Sequence, residues 1–249
     1  MLTQERYQTI LNILNERSAV TVAELSQLLD TSESTIRRDL TALDEMGKLK
    51  KVFGGATSLK QTAGVIEDNI NKRKNVMHGE KDTIASYAAK LVHDNDFVYI
   101  DAGTTTSHFI DHLTNKKATY VTNGIVQAKK LLEKGFNAYM IGGRIKPLTE
   151  AVVGADGIKN ISNYNFTKAF MGANGIDKEA GFTTPDVEEA LIKGKAIEKS
   201  YITFVLADHT KFRKVYPVSF AKIDKCCIIT DILSDDSYAE YTVIKEVLK

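Results

Sequence analysis

The chain is poor in the features that mark several protein classes. Only two cysteines occur in 249 residues, and they are adjacent, Cys226-Cys227, inside an apolar run. Neighbours on an extended strand point to opposite faces, so the pair is expected to form neither a disulfide nor a metal site, and a reducing cytoplasm fits. No apolar stretch approaches the ~20 residues of a membrane span, and the N-terminus lacks the apolar core of a secretory signal. Charge of one sign is missing too. Lys and Arg number 33 against 32 Asp and Glu, a net +1, so the whole-chain balance does not draw in nucleic acid. Neither internal repeats nor low-complexity segments occur, and Tyr and Phe are scattered as core residues would be, with no stacking platform for single strands. The 43% hydrophobic and 26% charged content is ordinary for a globular protein, with length for one small and one medium domain.

Against that background residues 1–57 stand out. A helix is predicted over about 4–16, with Tyr7, Ile10, Leu11 and Leu14 on one stripe. Thr21 to Glu24 is a capping-box pattern that opens a second helix, with Ala23, Leu25, Leu28 and Leu29 mostly inward. Asp30-Thr31-Ser32 breaks it, and Thr31 or Ser32 can cap a third helix. On that helix Ile36, Leu40 and Leu43 share a face, Met46 flanks them, and Ser34, Arg38 and Thr41 lie opposite with Arg37 at the edge. Small hydroxyls and arginines suit a major groove, where one of Arg37 and Arg38 would meet a base edge and the other a phosphate; Asp39 would orient a neighbouring arginine. Lys48, Lys50 and Lys51 sit in a short ribbon between Gly47 and Gly54-Gly55, as a wing would, facing phosphate. The head carries seven basic and eight acidic residues, so attraction to DNA must come from clustering; five of the seven bases lie between Arg37 and Lys51. Ser32, Ser34, Thr35, Arg37, Arg38, Thr41, Lys48, Lys50 and Lys51 form the expected interface with double-stranded DNA.

Ser34-Thr-Ile-Arg-Arg-Asp-Leu40, followed by a basic ribbon ending Gly54-Gly-Ala56, resembles the DeoR family of bacterial transcription regulators. Members usually carry Arg-x-His before the Gly-Gly; here Lys51-Val-Phe53 keeps the charge and loses the imidazole. Residues 58–75 are polar, end in Lys72-Arg73-Lys74 and read as a linker.

From residue 76 to 249 helix and strand alternate, the pattern of an α/β domain with a parallel sheet covered on both faces. Helices are expected near 79–92, 105–113, 124–134, 155–161 and 187–200. Strands are expected near 97–101, 119–122, 137–141, 168–172, 201–207 and 225–230. Ligands of such sheets sit in loops at the carboxyl ends of strands. Asp101-Ala-Gly-Thr-Thr-Thr106 is such a loop: Gly103 permits close approach, amides at a helix start point outward, and three hydroxyls add donors, an arrangement for phosphate. It lacks the lysine of a P-loop, so a nucleoside triphosphate is not expected. Thr122-Asn123-Gly124, Gly142-Gly143-Arg144, Gly172-Ala-Asn-Gly175 and Asp208-His-Thr-Lys211 are further strand-end loops that converge on a sugar pocket. Asp186 or Thr184 caps the next helix, where Glu189 and Lys193 are spaced for an i,i+4 ion pair. His108 and His112 also have i,i+4 spacing, but no third metal ligand is visible.

The body resembles the DeoR-family effector domain along nearly its whole length, through Lys81-x-x-Ile-Ala85, the Asp101–Thr106 loop, Thr122-Asn123, Gly142-Gly143, Lys168-Ala-Phe170 with Gly172, and Asp208 with Lys211-Phe212. That domain is similar in fold to ribose-5-phosphate isomerase. The resemblance implies that Gly103, Thr104, Thr105 and Thr106 hold a phosphate. It places Asp101 and Asn123 in the pocket lining and gives Glu189, Lys193 and Lys211 the sugar. Gly143, Arg144, Gly172, Asn174, Gly175 and Asp208 complete the expected effector set. The family's Asp-Ser-Ser/Thr-Lys-Phe reads here Asp208-His209-Thr210-Lys211-Phe212, a departure at His209. Thr31–Thr35 and Glu179–Asp186 with Glu189-Ala-Leu191 resemble the fructose-operon repressor branch, which implies fructose 1-phosphate as inducer. An isomerase needs a carboxylate base; the corresponding loop offers Asn174, an amide that takes no proton. A two-domain homo-oligomeric repressor, dimer or tetramer, without cofactor or metal and without catalysis, is therefore expected. The alternatives are a regulator answering another phosphorylated sugar such as tagatose 6-phosphate, an activator, and an isomerase with an accessory head.

Overall fold

The computed structural model describes residues 3–17, 19–58 and 76–248. The chain divides into two compact units, Met1–Thr62 and Ala63–Lys249. The linker reading and its Lys72-Arg73-Lys74 run lie outside the described residues, apart from Ser58.

In the first unit α1 spans Thr3–Arg17, β1 Ala19–Thr21, α2 Val22–Leu28, α3 Glu33–Glu45, β2 Leu49–Val52 and β3 Gly55–Ser58. The strands form an antiparallel sheet in the order β1-β3-β2. The capping box is made: the Glu24 amide donates to Thr21 Oγ1 at 3.1 Å, and the Thr21 amide donates to Glu24 Oε2 at 2.8 Å. Ser32, not Thr31, caps α3. Because α2 starts at Val22, the buried stripe is Val22, Leu25 and Leu29. Ala23 and Leu28, expected inward, face solvent, since they fall off that i, i+3, i+7 row. Ile10, Leu14, Ile36, Leu40, Leu43 and Leu49 close this core. Gly55 lets β3 lie against β1, as a β-carbon there would sit 2.2 Å from the Val20 carbonyl oxygen.

The second unit contains α4 (His78–Ala89), β4 (Phe97–Ile100), α5 (Thr104–His112), β5 (Thr119–Thr122), α6 (Ile125–Glu133) and β6 (Asn137–Met140). A hairpin of β7 (Arg144–Lys146) and β8 (Ala151–Val153) leads to α7 (Ala155–Ser162) and β9 (Phe166–Met171). Then come β10 (Gly175–Asp177), β11 (Gly181–Thr184), α8 (Val187–Glu198), β12 (Ser200–Leu206), β13 (Val218–Ala221), β14 (Cys227–Thr230) and β15 (Ile244–Glu246). The main sheet is parallel throughout, in the order β15-β14-β12-β9-β4-β5-β6. One apolar cluster packs α4, α5 and α6 on one face through Ile84, Phe109 and Leu131. A second packs α7, α8 and the small antiparallel sheet β10-β11-β13 on the other, through Ile161, Ile192 and Phe182. The hairpin, the small sheet and β15 were not expected. Their strands are three or four residues long, too short for periodicity to register. Cys226 and Cys227 are free thiols, and burial pushes Cys226 up to about 12, where it is inert. Among the described residues no helix is long and apolar enough to cross a membrane.

Candidate functional site

On the head, Arg37, Arg38, Thr41 and Lys51 line a shallow depression between α3 and the β2–β3 wing. Arg37 donates to Glu33 Oε2 at 2.7 Å, one helical turn back. Arg38 is exposed and forms no hydrogen bond or ion pair with any described residue. Thr41 is not a free donor: its hydroxyl donates to the Arg37 carbonyl and accepts from Lys51 Nζ at 2.6 Å. Lys51 also receives a tie through its amide, which donates to Asp44 Oδ1 at 2.9 Å, so the wing is fastened to α3. Ser32, Ser34 and Thr35 cluster through their hydroxyls at the start of α3, and Lys48 and Lys50 are exposed on the wing. Phe53 stands fully in solvent at the wing tip.

Asp39 does not orient Arg37 or Arg38. It is buried and accepts from Arg6 of α1, at 2.5 Å on Nε and 3.1 Å on NH2. The reason is geometric: residues adjacent on a helix diverge by about 100°, so Asp39 falls on the core side. The hydrogen bond from Arg6 fixes α3 against α1 and raises the Arg6 pKa. Asp39→Ala is expected to lower the head's stability by about 1–3 kcal/mol; a melt unchanged from wild type would show that α3 is held by its apolar face alone.

In the body the strand ends gather a second set. Helix α5 begins at Thr104 after Gly103, and its first intrahelical bond runs from the Ser107 amide to the Gly103 carbonyl. The Thr104, Thr105 and Thr106 amides therefore lack helical acceptors, an arrangement that can take an anion. Thr106 adds no hydroxyl to it, since its Oγ1 donates to the Asp101 carbonyl at 2.6 Å and so ties the loop. Gln127, which sequence reasoning missed, is buried and donates from Nε2 to the Gly103 carbonyl at 2.7 Å. Gly124 leaves room for it, as a β-carbon there would meet Gln127 Oε1 at 2.0 Å.

Asp101 is almost wholly buried below the α5 amides. Its Oδ2 accepts from Lys193 Nζ and from the Gly172 amide, while Oδ1 has no partner. Burial pushes its carboxyl above the usual range, against the opposing pull of Lys193. Lys193 also donates to the Gly172 carbonyl at 3.1 Å. The expected Glu189–Lys193 pair is not formed. Both are buried, and Glu189 instead accepts from Thr149 at 2.7 Å and Lys146 at 3.2 Å. Lys146 and Thr149 belong to the β7–β8 hairpin, and Lys146 also reaches Asp186 at 3.0 Å. Neither residue was legible in the sequence, because a single Lys or Thr beside Pro147 carries no pattern. Asp186, as one of two candidates, caps α8 by accepting from the Glu189 amide.

Several other expected effector residues serve the scaffold. Asn123 spends its amide on backbone, accepting from the Ala102 amide at 2.9 Å and donating to the Val152 carbonyl at 3.3 Å. Gly175 starts β10, and a β-carbon there would lie 2.2 Å from the Lys214 carbonyl oxygen. Asn174 accepts from Thr184, and exposed Arg144 pairs with Glu188. Gly143 takes a φ of 147° against Val153, a turn requirement. Asp208 is buried and caps its own turn by accepting from Thr210, with Lys211 ending that turn. His108 and His112 both approach Asp82, at 3.7 and 2.8 Å, and among the described residues no cluster suits a metal.

Two family models match. Residues 6–62 fit the DeoR-like helix-turn-helix domain, and 76–232 fit the DeoR C terminal sensor domain. The chain is 42% identical, over 99% of both proteins, to the "Uncharacterized HTH-type transcriptional regulator FruR" of Bacillus subtilis (strain 168). It is 32% identical to the HTH-type transcriptional repressor GlcR of the same organism, over 96% of this chain and 93% of that one. Among solved structures it is similar to ribose 5-phosphate isomerase A from Methanocaldococcus jannaschii, over 53% of each chain, at 16% identity and a TM-score of 0.40. With both domains matched in order and a relative aligned along its whole length, the chain belongs to the DeoR family of helix-turn-helix transcriptional regulators.

Proposed function

We propose that this regulator is a repressor of a sugar-utilisation operon, released from its operator by a phosphorylated sugar, with fructose 1-phosphate as the inducer. The carrying observation is the free-amide seat at Thr104–Thr106, beside the buried Asp101 with its unpartnered Oδ1. The seat suits a phosphate, and a buried carboxylate oxygen without a donor suits a sugar hydroxyl. Repression is supported by likeness to GlcR, named a repressor. The fructose assignment is supported by the Glu179–Asp186 segment, whose Gly181–Thr184 portion forms β11 and leads into α8, the helix of Glu189 and Lys193. Two heads of a homo-oligomer would read paired half-sites.

The test is calorimetric titration of the full chain with fructose 1-phosphate, tagatose 6-phosphate, inorganic phosphate and fructose. Fructose 1-phosphate is expected to bind tightest and free fructose not at all. Tighter binding of tagatose 6-phosphate would keep the sensor and replace the inducer. Thr105→Ala is expected to weaken sugar-phosphate binding by about tenfold, the worth of one charge-assisted hydrogen bond. Operator affinity without ligand should stay at the wild-type value, and an unchanged sugar-phosphate affinity would remove the Thr105 hydroxyl from the seat.

A further inference from the structure

The main parallel sheet has two edges, and they differ in chemistry. β15 ends one side and carries Lys245 and Glu246, charges that discourage another strand from pairing. β6 ends the other and reads Asn137-Ala-Tyr-Met140, with no charge and no proline. All four of its residues are exposed, Tyr139 at 52% and Met140 at 42%. A bare apolar edge on a sheet otherwise covered on both faces is open to a partner.

The backbone specifies what that partner must be. The Ile141 amide donates to the Thr122 carbonyl of β5 at 3.0 Å. Backbone groups alternate sides along a strand, so Tyr139 also turns to β5, while Ala138 and Met140 turn their N–H and C=O groups away from it. On either side of these two the edge is already used. The Phe136 amide donates to the Leu131 carbonyl, and the Gly142 amide to Asn160 Oδ1. Two outward residues are left, and another strand is what satisfies them. A second copy of β6 does so by symmetry. In antiparallel pairing about a two-fold axis, Ala138 faces the partner's Met140, and Met140 faces the partner's Ala138. Centring the axis on Ala138 or on Met140 instead sets one of them against an amide already spent. The axis therefore falls at Tyr139, which opposes the partner's Tyr139 with Cα atoms about 4.5 Å apart, a close pair that favours aromatic side chains. Side chains and charge agree with this arrangement. Met140 stands on the same face as Tyr120, the side covered by α6, where Leu132 is 75% exposed. Beside Leu132, α6 shows Lys129 and Glu133, one of each sign, so a second copy meets no field of its own sign.

We infer that β6 is the surface through which two copies of this chain pair, making one continuous sheet across a two-fold axis at Tyr139. The inference rests on the homo-oligomer reading given above and supplies its surface; it does not depend on the effector. Cross-linking and sedimentation of the full chain test it. Tyr139→Cys is oxidised with copper–phenanthroline beside wild type and Tyr201→Cys, a control at a residue 95% exposed at the start of β12. Facing cysteines at the axis lie within disulfide reach, so Tyr139→Cys is expected to give a covalent dimer. Wild type, with its native Cys226 and Cys227, and Tyr201→Cys are expected to stay uncross-linked. Tyr139→Lys sets like charges opposite each other in place of the aromatic pair. It is expected to raise the dimer dissociation constant by about tenfold in analytical ultracentrifugation, with an unchanged circular dichroism spectrum. An oligomer in which Tyr139→Cys does not cross-link and Tyr139→Lys sediments as wild type overturns this interface and keeps the homo-oligomer. A monomeric wild type overturns both.

Discussion

Arg38→Ala is expected to lower operator affinity by about 100-fold or more while leaving sugar-phosphate binding at the wild-type value. The size follows from how little else the head offers. Its formal charge is slightly negative, so no general field holds it to DNA, and contacts by particular residues must. On α3, Arg37 is tied to Glu33, Thr41 is occupied by Arg37 and Lys51, and Arg38 alone of these projects without a side-chain partner among the described residues. A bidentate arginine–guanine contact is worth about 1–3 kcal/mol per head, and a symmetric oligomer applies it twice. The salt dependence identifies the contact. If Arg38 reads a base, the slope of log affinity against log salt should stay near wild type; Arg37→Ala should reduce it by about one unit per head as a phosphate contact is lost. Undiminished operator binding by Arg38→Ala would remove the exposed face of α3 from its assigned role.

Lys193→Met is expected to destabilise the sensor domain by about 3–5 kcal/mol at neutral pH, the cost of leaving a buried charge without its partner. Asp101 would then face burial with only the Gly172 amide for its ionised form. The sign of the pH dependence is fixed by the direction of the Asp101 shift. Its carboxyl is raised above the usual range, chiefly by burial, so stability associated with its neutral form is present in acid and is lost as pH rises. Removing Lys193 takes away the main opposing influence and steepens that loss. The variant should lie closest to wild type at and below about pH 4, the ordinary aspartate range, and fall away towards neutrality. Asp101→Asn combined with Lys193→Met should recover part of the loss. Thermal melts of the three proteins across that range decide the matter, and a pH-independent deficit in Lys193→Met would show lost packing instead of an orphaned carboxylate.

The head was legible because its signals are local. The capping box, the α3 apolar face and the wing glycines each sit within a few residues, and the fold uses them as read. Ala23 and Leu28 were turned the wrong way, because the helix start at Val22 sets the register. Asp39 escaped because its partner, Arg6, is 33 residues away in sequence. Much of the alternating body was plain too, since β4 and β5 each run directly into a periodic helix. What the sequence concealed are the cross-sheet partnerships at the strand ends. Lys193 looked like the i,i+4 mate of Glu189, yet the sheet delivers Asp101 to it from 92 residues away. Glu189 is claimed by Lys146 and Thr149 from a hairpin whose strands have three residues each. Asn123 and Thr106 carry the residue types of a ligand site and spend them on backbone. Residue type thus pointed to the strand-end loops, while three-dimensional pairing determined which of their side chains are spent on the fold.

The central claim is that one protein couples a DNA-reading head to a sugar-phosphate sensor. It is tested most directly by fluorescence anisotropy of the duplex from the promoter adjoining this gene. The full chain is titrated at fixed salt, with and without fructose 1-phosphate and with other sugar phosphates in parallel. A coupling of about 1–3 kcal/mol predicts a 5- to 150-fold loss of operator affinity on adding the inducer. Tight binding that fructose 1-phosphate releases, with the other sugars weaker, is the result expected. Tight binding indifferent to every sugar phosphate, or affinity no greater than for random duplex, would contradict the account.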